Sequence, residues 1–382
     1  MPEIIADNIS IVETKELERF ARVDAEYYQP KYLALQKLYK KGTWSPIGQH
    51  LNACEYGLSI AMNTEGNGYA ILRMDNLQGG FAFDDDIKYA PITEKEFYKY
   101  KLQKNDILFN RVNSEEFVGR TGIYKLSGNH VFASYLVRLK TKENELLPDY
   151  LNIFLNTKYG VLSIRRMSRR AVNQANVNAQ ELKAIKILLA PLKFQEEIKD
   201  LLEKSHGLFE KSKIFYSQAE ALLFDELGIK DINLSHVSCY EVNSANIFTA
   251  NRIDAEYYQP KHERTIEAIK KHPYKSIGDM FRLIKGIEPG SSAYCKEGKP
   301  FIRVSNLNKF EINNDNQQYL SEKTYLELQP NYQPFKDEIL LSKDATPGIA
   351  YHLKEPIEGI ISGGILRLQA TTNIKKEYIC LV

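Results

Sequence analysis

The chain has 382 residues, 51 basic against 49 acidic side chains for a formal charge of +2, and 43% hydrophobic residues, the balance of a globular protein. That near-neutrality excludes a uniformly basic nucleic-acid coat, so any DNA-binding charge has to be concentrated locally. Four scattered cysteines without a Cys-x-x-Cys pair or ligand-spaced histidines argue against structural zinc and predict a reduced, cytoplasmic protein. The absence of a basic-then-apolar leader, or of any apolar run near the roughly 18–20 residues of a membrane span, predicts neither export by that route nor membrane insertion.

Near the N-terminus, Arg22-Val-Asp-Ala-Glu-Tyr-Tyr-Gln-Pro-Lys31 returns as Arg252-Ile-Asp-Ala-Glu-Tyr-Tyr-Gln-Pro-Lys261, an offset of 230 residues (252 − 22). Ile47-Gly48 matches Ile277-Gly278, and Leu72-Arg-Met-Asp-Asn-Leu77 matches Ile302-Arg-Val-Ser-Asn-Leu307. With small shifts, Lys104-Asn-Asp-Ile-Leu108 answers Lys336-Asp-Glu-Ile-Leu340, and Leu136-Val-Arg-Leu139 answers Ile365-Leu-Arg-Leu368. A period this long lies outside the solenoid range and means a tandem of whole domains.

Within the first copy, residues 14–41 read as a helix broken at Pro30 that carries Glu26-Tyr27-Tyr28. Those tyrosines either bind a partner or pin the helix to its own sheet, and the adjacent proline favours pinning. Strands are expected at Tyr69–Met74, Asp106–Phe109, Gly122–Tyr124 and Phe132–Leu139, separated by Gly and Asn turn signals. Pro148 opens a helix expected to run from Asp149 to about Ser168. Between Lys158 and Arg170 lie five basic residues and no acidic one.

From Phe194, apolar or small residues recur at intervals of four and three through Ile198, Leu201, Ser205, Leu208, Ser212, Phe215, Ala219 and Leu222, a heptad seam. A second line at Leu202, Phe209, Tyr216 and Leu223 widens it. The resulting helix, Lys193–Leu227, would be about 50 Å long. It cannot bury its own stripe. Ile198, Leu201, Leu208, Phe215 and Leu222 are therefore the expected interface with a partner helix, the alternative being that the stripe packs on its own globular domain. The second copy parallels the first as far as Lys375-Lys-Glu-Tyr378, against Leu147-Pro-Asp-Tyr150, and then reads as incomplete, without counterparts of the Arg cluster or the long helix. An unpaired stripe of this kind predicts either self-association with another chain or an impaired product.

Taken jointly, the Asp-Ala-Glu-Tyr-Tyr-Gln-Pro repeat, the two Lys-x-x-Ile-Leu stretches and the run Ile187-Leu-Leu-Ala-Pro191 followed by Gln195 and Ile198 resemble the specificity subunit of type I restriction-modification systems. The resemblance implies an α+β fold: two tandem target-recognition domains of mixed helix and strand-rich sheet, joined by a long coiled-coil-type helix. The corresponding boundaries are 1–190 for the first domain, 191–230 for the spacer helix and 231–382 for the second domain. It also implies a non-catalytic subunit that reads a bipartite target in double-stranded DNA and recruits methyltransferase (M) and restriction (R) subunits, to which S-adenosylmethionine, ATP and Mg belong. Alternatives are the recognition part of a type II-like system with fused methyltransferase and nuclease, an autonomous nuclease, or a protein-interaction scaffold.

No methyltransferase Asn/Asp-Pro-Pro-Tyr motif or phosphate-binding loop occurs. Glu297-Gly298-Lys299 has the form of a nuclease metal motif, but the first copy has Glu65-Gly66-Asn67 in its place. For DNA contact, Arg165, Arg166, Arg169 and Arg170 sit at helical spacing where they would neutralise phosphates, or else form a solvated helix end. Asn173, Gln174 and Asn176 follow in a polar loop, where they either read bases, since amides pair bidentately with adenine, or cap the next segment. Arg73 and Arg303, kept in both copies, suit scaffold or phosphate contact. The positions that differ between copies are better placed to carry specificity: Arg111, Asn113, Ser114 and Arg120 in the first, Lys343 and Thr346 in the second.

Overall fold

The computed structural model describes residues 3–6, 9–14, 17, 22–171, 174–314 and 316–382. The chain divides into two compact units, Met1–Phe209 and Glu210–Val382.

Unit 1 runs β1 (Glu3–Ala6), β2 (Ile9–Ile11), a 3-10 turn at Ala25–Tyr28, α1 (Pro30–Leu38), β3 (Trp44–Pro46), β4 (Leu51–Tyr56), β5 (Tyr69–Leu72), β6 (Leu77–Gln78), β7 (Phe81–Ala82), β8 (Lys88–Ala90) and α2 (Glu94–Tyr100). It continues with β9 (Ile107–Asn110), β10 (Val112–Asn113), β11 (Thr121–Ile123), β12 (His130–Phe132), β13 (Leu136–Thr141), α3 (Pro148–Asn156), α4 (Lys158–Met167), β14 (Arg169–Ala171), β15 (Gln174–Asn176), α5 (Ala179–Ala184) and β16 (Lys186–Leu188). The long helix α6 (Leu192–Glu226) follows.

A six-stranded sheet of order β4-β13-β9-β11-β7-β6 forms the centre, and β12-β5-β8 forms a second sheet. Between them Leu72, Leu108, Tyr124, Phe132 and Leu136 bury against one another, while the other side of the central sheet packs Phe109, Val137 and Leu139 against Leu151, Leu155 and Ile164 of α3 and α4. The central strands are covered on both faces. Accordingly β9 reads Ile-Leu-Phe-Asn with no polar alternation and is buried throughout. β3 pairs with β16, so residues from opposite ends of this region lie side by side.

Unit 2 starts within α6 and holds α7 (Ser244–Ala250), α8 (Pro260–Ile269), α9 (Ile277–Met280), β17 (Phe281–Lys285), β18 (Tyr294–Cys295), β19 (Lys299–Ile302), β20 (Gln318–Leu320), α10 (Glu322–Tyr332), β21 (Ile339–Ser342), β22 (Ala350–His352), β23 (Ile360–Ile361), β24 (Ile365–Ala370) and α11 (Lys376–Leu381). Its main sheet has the order β17-β24-β21-β22, which repeats β4-β13-β9-β11 strand for strand. Its second sheet sets β23 parallel to β19, as β12 is parallel to β5. The written repeat is therefore a repeated α+β fold, with one long helix running on from the first copy.

Several expected elements are shorter or broken. Among the described residues of 14–41, Thr14 and Leu17 are helical, and a 3-10 turn and α1 follow, separated by Gln29 with extended backbone; residues 15, 16 and 18–21 lie outside the described set. Pro30 at the first helical position starts α1 rather than kinking a longer helix. The helix expected over 149–168 is two helices, because Thr157 is extended (ψ 162) and its hydroxyl oxygen accepts from the amide of Gly160 as the cap of α4. Phe132–Leu139 is likewise two strands in different sheets.

The long helix is continuous, and its two lines of residues have different fates. On the second line, Leu202 packs with Phe81 and Ile123, Phe209 tilts against Phe83 at 5.6 Å, and within unit 2 Tyr216 meets Phe310 edge-on at 4.9 Å. On the first line, Leu201, Leu208, Phe215 and Leu222 are all exposed. Ile198, grouped with them by periodicity, instead rests on the core of unit 1. Heptad spacing marks a face, and near its start α6 uses that face on its own domain. Gln195 fixes the start of the helix: its side chain is buried, accepts from the amide of Leu147, and donates to the carbonyl of Ala190 at 2.8 Å.

Candidate nucleic-acid interface

The Arg cluster divides at the end of α4. Arg165 and Arg166 occupy its last turn, whereas Arg169 and Arg170 lie on β14, so the four do not share a helical face. Ser168 is extended (ψ 142), which ends the helix and turns the chain into a hairpin. Arg166 is buried, with its guanidinium 4.3 Å from the centre of the Tyr27 ring and Nε donating to the Tyr27 carbonyl at 3.3 Å. It is a packing residue here, and the phosphate contact expected of it does not fit this position. Arg165 is half-buried, its Nε enclosed without a hydrogen-bond partner.

The hairpin strands β14 and β15 pair antiparallel, and β15 pairs on its other edge with β10, giving a three-stranded ribbon of order β10-β15-β14. Arg169 lies opposite Asn176, which lies opposite Val112, and Ala175 lies between Arg170 and Asn113. The ribbon therefore gathers Arg111, Asn113, Arg169, Arg170, Gln174 and Asn176 from stretches some sixty residues apart in sequence. Gln174 and Asn176, expected in a loop, are on a strand, where alternation sends the buried Ala175 inward and its exposed neighbour Gln174 outward. Asn173 lies outside the described residues.

Glycine fixes the ribbon against the helix. Gly119, at φ +88, sits where a Cβ would come 2.4 Å from Cγ2 of Ile164 in α4, so the turn between β10 and β11 reaches the helix only because this residue has no side chain. Within that turn the carbonyl of Ser114 accepts from the amides of Phe117 and Val118, and the Arg120 guanidinium lies 4.1 Å over the Phe117 ring. The Ser114 hydroxyl is buried without a partner, and Asn113 Oδ1 accepts from the Ser114 amide. Asn113 Nδ2 reaches Met74 Sδ at 3.5 Å.

Two acidic groups balance the ribbon. Arg169 Nε donates to Glu181 Oε1 at 2.6 Å while its side chain stays 67% exposed, and Arg170 Nη2 donates to Glu115 at 2.5 Å. Glu181 is itself fixed in the capping box of α5, where its second oxygen accepts from the amide of Asn178. Arg111 stacks 4.9 Å over the Tyr56 ring and donates to Asn176 Oδ1 at 3.4 Å. Tyr56 and Tyr135, both substantially exposed, flank the ribbon and had no signal in the sequence. Aromatic faces beside cations suit stacking as well as packing.

The matched arginines behave alike. Arg73 donates to the carbonyl of Asp86 at 3.0 Å, and Arg303 donates to the carbonyl of Asn316 at 2.5 Å, two positions that share the 230 offset and both adopt a left-handed backbone, φ 48 and φ 50. Behind them Asn76 and Asn306 accept from the amides of Arg73 and Arg303. Both arginines clamp a loop to the 3-10 turn at the end of the inner strand.

In unit 2, the amide of Lys343 donates to the Gly364 carbonyl as that of Arg111 donates to the Tyr135 carbonyl, so the two positions correspond. Lys343 Nζ pairs with Asp344 at 2.6 Å. Thr346 is exposed at the tip of the same turn, its carbonyl accepting from the Ser342 hydroxyl. Among the described residues unit 2 has no counterpart of the β14-β15 hairpin. Lys299, the basic member of the nuclease-like motif, is engaged by Glu358.

Among the described residues no helix is long and apolar enough to cross a membrane. The sequence pattern of the type I restriction modification DNA specificity domain matches residues 58–213. The chain is 28% identical over 262 residues to a putative type I restriction enzyme MjaX specificity subunit of Methanocaldococcus jannaschii, an alignment covering 66% of this chain and 56% of the relative. It is 32% identical over 145 residues to the type I restriction enzyme EcoKI specificity subunit of Escherichia coli, covering 37% of this chain and 31% of that one. The matched stretch is thus about half the length of the first relative and about a third of the second. The crystal structure of a type I restriction-modification system S subunit from M. genitalium overlaps 90% of this chain and 77% of its own at 16% identity, with a TM-score of 0.39.

Proposed function

Since residues 58–213 match the type I restriction modification DNA specificity domain, we propose that the chain is the DNA-reading subunit of a restriction-modification assembly. In this reading each unit reads one block of a bipartite double-stranded target. The chemistry resides in partner subunits: methyltransferase subunits using S-adenosylmethionine and a restriction subunit using ATP and Mg.

The observation that carries the reading is the β10-β15-β14 ribbon of unit 1, which brings Arg111 together with Asn113, Arg169, Arg170, Gln174 and Asn176. A two-stranded β-ribbon, such as the β14-β15 hairpin, fits the major groove, where arginine pairs with guanine and amides pair with adenine. In this reading Arg169 and Arg170, on the edge strand, are assigned to phosphate, and Gln174 and Asn113, on opposite faces of the ribbon, are assigned to bases. Arg73 and Arg303 are assigned to the scaffold, because both guanidinium groups already hold a loop carbonyl. In unit 2 the turn carrying Lys343 and Thr346 takes the position of the Arg111 turn.

The exposed line Leu201, Leu208, Phe215 and Leu222 repeats every seven residues and suits an apolar stripe on a partner helix. The reading is tested by mapping methylated sites in DNA from cells that express this chain with its methyltransferase. A two-block motif supports it; unmethylated DNA, together with no salt-dependent DNA binding in a filter assay with or without that partner, rejects it.

A further inference from the structure

Among the arginines that the ribbon brings together, Arg111 is held differently from the others. Arg169 and Arg170 are ion-paired, to Glu181 at 2.6 Å and to Glu115 at 2.5 Å. Arg111 has no carboxylate partner among the described residues, yet it is fixed at both ends. Its amide donates to the Tyr135 carbonyl and its carbonyl accepts from the Val177 amide, both at 2.9 Å, so two strands hold its backbone. At the other end its guanidinium lies 4.9 Å over the Tyr56 ring, and Nη2 donates to Asn176 Oδ1 at 3.4 Å.

Tyr56 is a pinned support for that guanidinium. It ends β4 directly opposite Val137 of the central sheet, and its hydroxyl accepts from the amide of Ala179, the first residue of α5, at 2.9 Å. Gly57 follows, where a Cβ would come 2.3 Å from the Phe132 carbonyl oxygen, so the backbone beside the ring is packed against its neighbour. An aromatic face held in this way fixes the plane of the arginine stacked on it.

The donors of Arg111 are then accounted for one by one. Nε is enclosed without a partner, and one proton of Nη2 goes to Asn176, which leaves Nη1 and the second proton of Nη2 along the terminal edge of the fork. That edge matches two adjacent acceptors. In the major groove guanine presents such a pair, O6 and N7, whereas adenine sets an N6 donor beside N7. A phosphate also accepts from a fork, but a mobile side chain serves it equally well. Fixing the plane in advance lowers the ordering cost of a contact with one required orientation. Unit 2 has neither part: Lys285 precedes Gly286 as Tyr56 precedes Gly57, and Lys343, the counterpart of Arg111, pairs through Nζ with Asp344.

We propose that Arg111 reads one guanine in the block bound by unit 1, donating from Nη1 and Nη2 to O6 and N7, and that Tyr56 is the positioning residue that sets the plane of the fork. This rests on the DNA-reading function proposed above and adds to it the identity of one base.

Duplexes are selected from a random DNA pool by the full chain with its methyltransferase partner, and selected again with Arg111→Ala. The wild-type motif should contain an invariant guanine at a position that becomes degenerate for the variant. Replacing that guanine by its analogue with carbon in place of N7 should weaken wild-type binding about tenfold and leave binding by Arg111→Ala unchanged. The altered base leaves the chain untouched, so a folding defect cannot imitate the result. Tyr56→Ala should reduce the preference for guanine over adenine at that position about tenfold without changing the slope of log K against log salt, and Tyr56→Phe, which keeps the ring, should retain it. A motif unchanged by Arg111→Ala, or wild-type binding indifferent to the altered guanine, overturns the proposal. So does Arg111→Ala that weakens all duplexes alike and lowers the salt slope by about 0.9, the mark of a phosphate contact. A wild-type chain that selects no sequence rejects DNA reading itself, and this proposal with it.

Discussion

Arg367 grips Glu338 in the interior of unit 2, donating from Nε and Nη2 to the two carboxylate oxygens at 2.7 and 2.8 Å, with both side chains almost fully buried. Its remaining arm reaches the carbonyl of Asn331 near the end of α10. The corresponding pair in unit 1, Arg138 and Asp106, is looser at 3.7 Å, because the shorter acid leaves Arg138 to bond Glu55 and the carbonyl of Lys101. Removing one partner of a buried pair strands the other charge, a cost of about 3–5 kcal/mol. Glu338→Ala should therefore lower the unfolding transition of unit 2 in calorimetry. Trp44, the single tryptophan, lies in unit 1 and its fluorescence should report an unchanged transition there.

Charge on the ribbon should set the salt dependence of DNA binding. Arg169→Ala and Arg170→Ala should each lower affinity for all sequences and reduce the slope of log K against log salt by about 0.9, the contribution of one phosphate. If Arg170 contacts phosphate, its ion pair with Glu115 competes with that contact, so Glu115→Gln should raise affinity. Fluorescence anisotropy at several salt concentrations measures both effects.

Base readers should behave differently from phosphate contacts. Gln174→Ala or Asn113→Ala is expected to relax preference at one base pair, by about 1–3 kcal/mol per lost bidentate contact, while leaving the salt slope unchanged. Selection of bound sites from a random DNA pool would show one degenerate position; an unaltered motif would move these residues to the scaffold.

Leu208→Glu and Phe215→Glu replace exposed side chains on the unoccupied line of α6. Solvent-facing substitutions of this type change stability by about 0.5 kcal/mol or less. The circular dichroism melt should stay within a degree or two, while association with the methyltransferase partner or with a second chain, followed by sedimentation, should be lost.

His130 provides a pH dependence in unit 1. Burial holds its imidazole below the ordinary 6.5, and a hydrogen bond of 2.8 Å joins Nδ1 to the Tyr124 hydroxyl, itself pushed by burial up to about 12. The unfolded chain thus takes up this proton at higher pH than the folded one, so stability rises with pH in that window. The contribution is complete above about 6.5 and is lost as pH falls toward the depressed folded value. His130→Gln should flatten the stability profile between pH 7 and pH 5, followed by Trp44 fluorescence in urea.

Much of the architecture was legible in the amino-acid sequence, because a nearly constant offset carries register as well as likeness. It paired Arg73 with Arg303 and Leu136–Leu139 with Ile365–Leu368, and the structure places those residues on equivalent elements of two similar sheets. The ribbon was not legible. Arg165 to Arg170 keeps helical spacing through Ser168, and only the extended backbone at that residue diverts the last two arginines onto a strand. Pairing of β10 with β15 is a long-range contact that no local pattern encodes. Which arginine turns inward depends on what stands opposite: Arg166 is buried because Tyr27 is there. The same holds for Ile198, whose periodicity marks a face without identifying what covers it.

The short pairing of β3 with β16 has a consequence for descent as well as for folding. The amide of Leu189 donates to the carbonyl of Thr43, and that of Ile47 to the carbonyl of Ile185, so the chain enters and leaves the intervening stretch at nearly one place. A segment with adjoining ends can be exchanged as a cassette, since flanking elements meet the same two backbone strands whatever lies between them. Backbone pairing asks little of side chains, so the seam tolerates divergence on either side. Recombination at residues near 43 and 189 would deliver a new surface to an old framework in one genetic event, without first passing through an unfolded intermediate sequence.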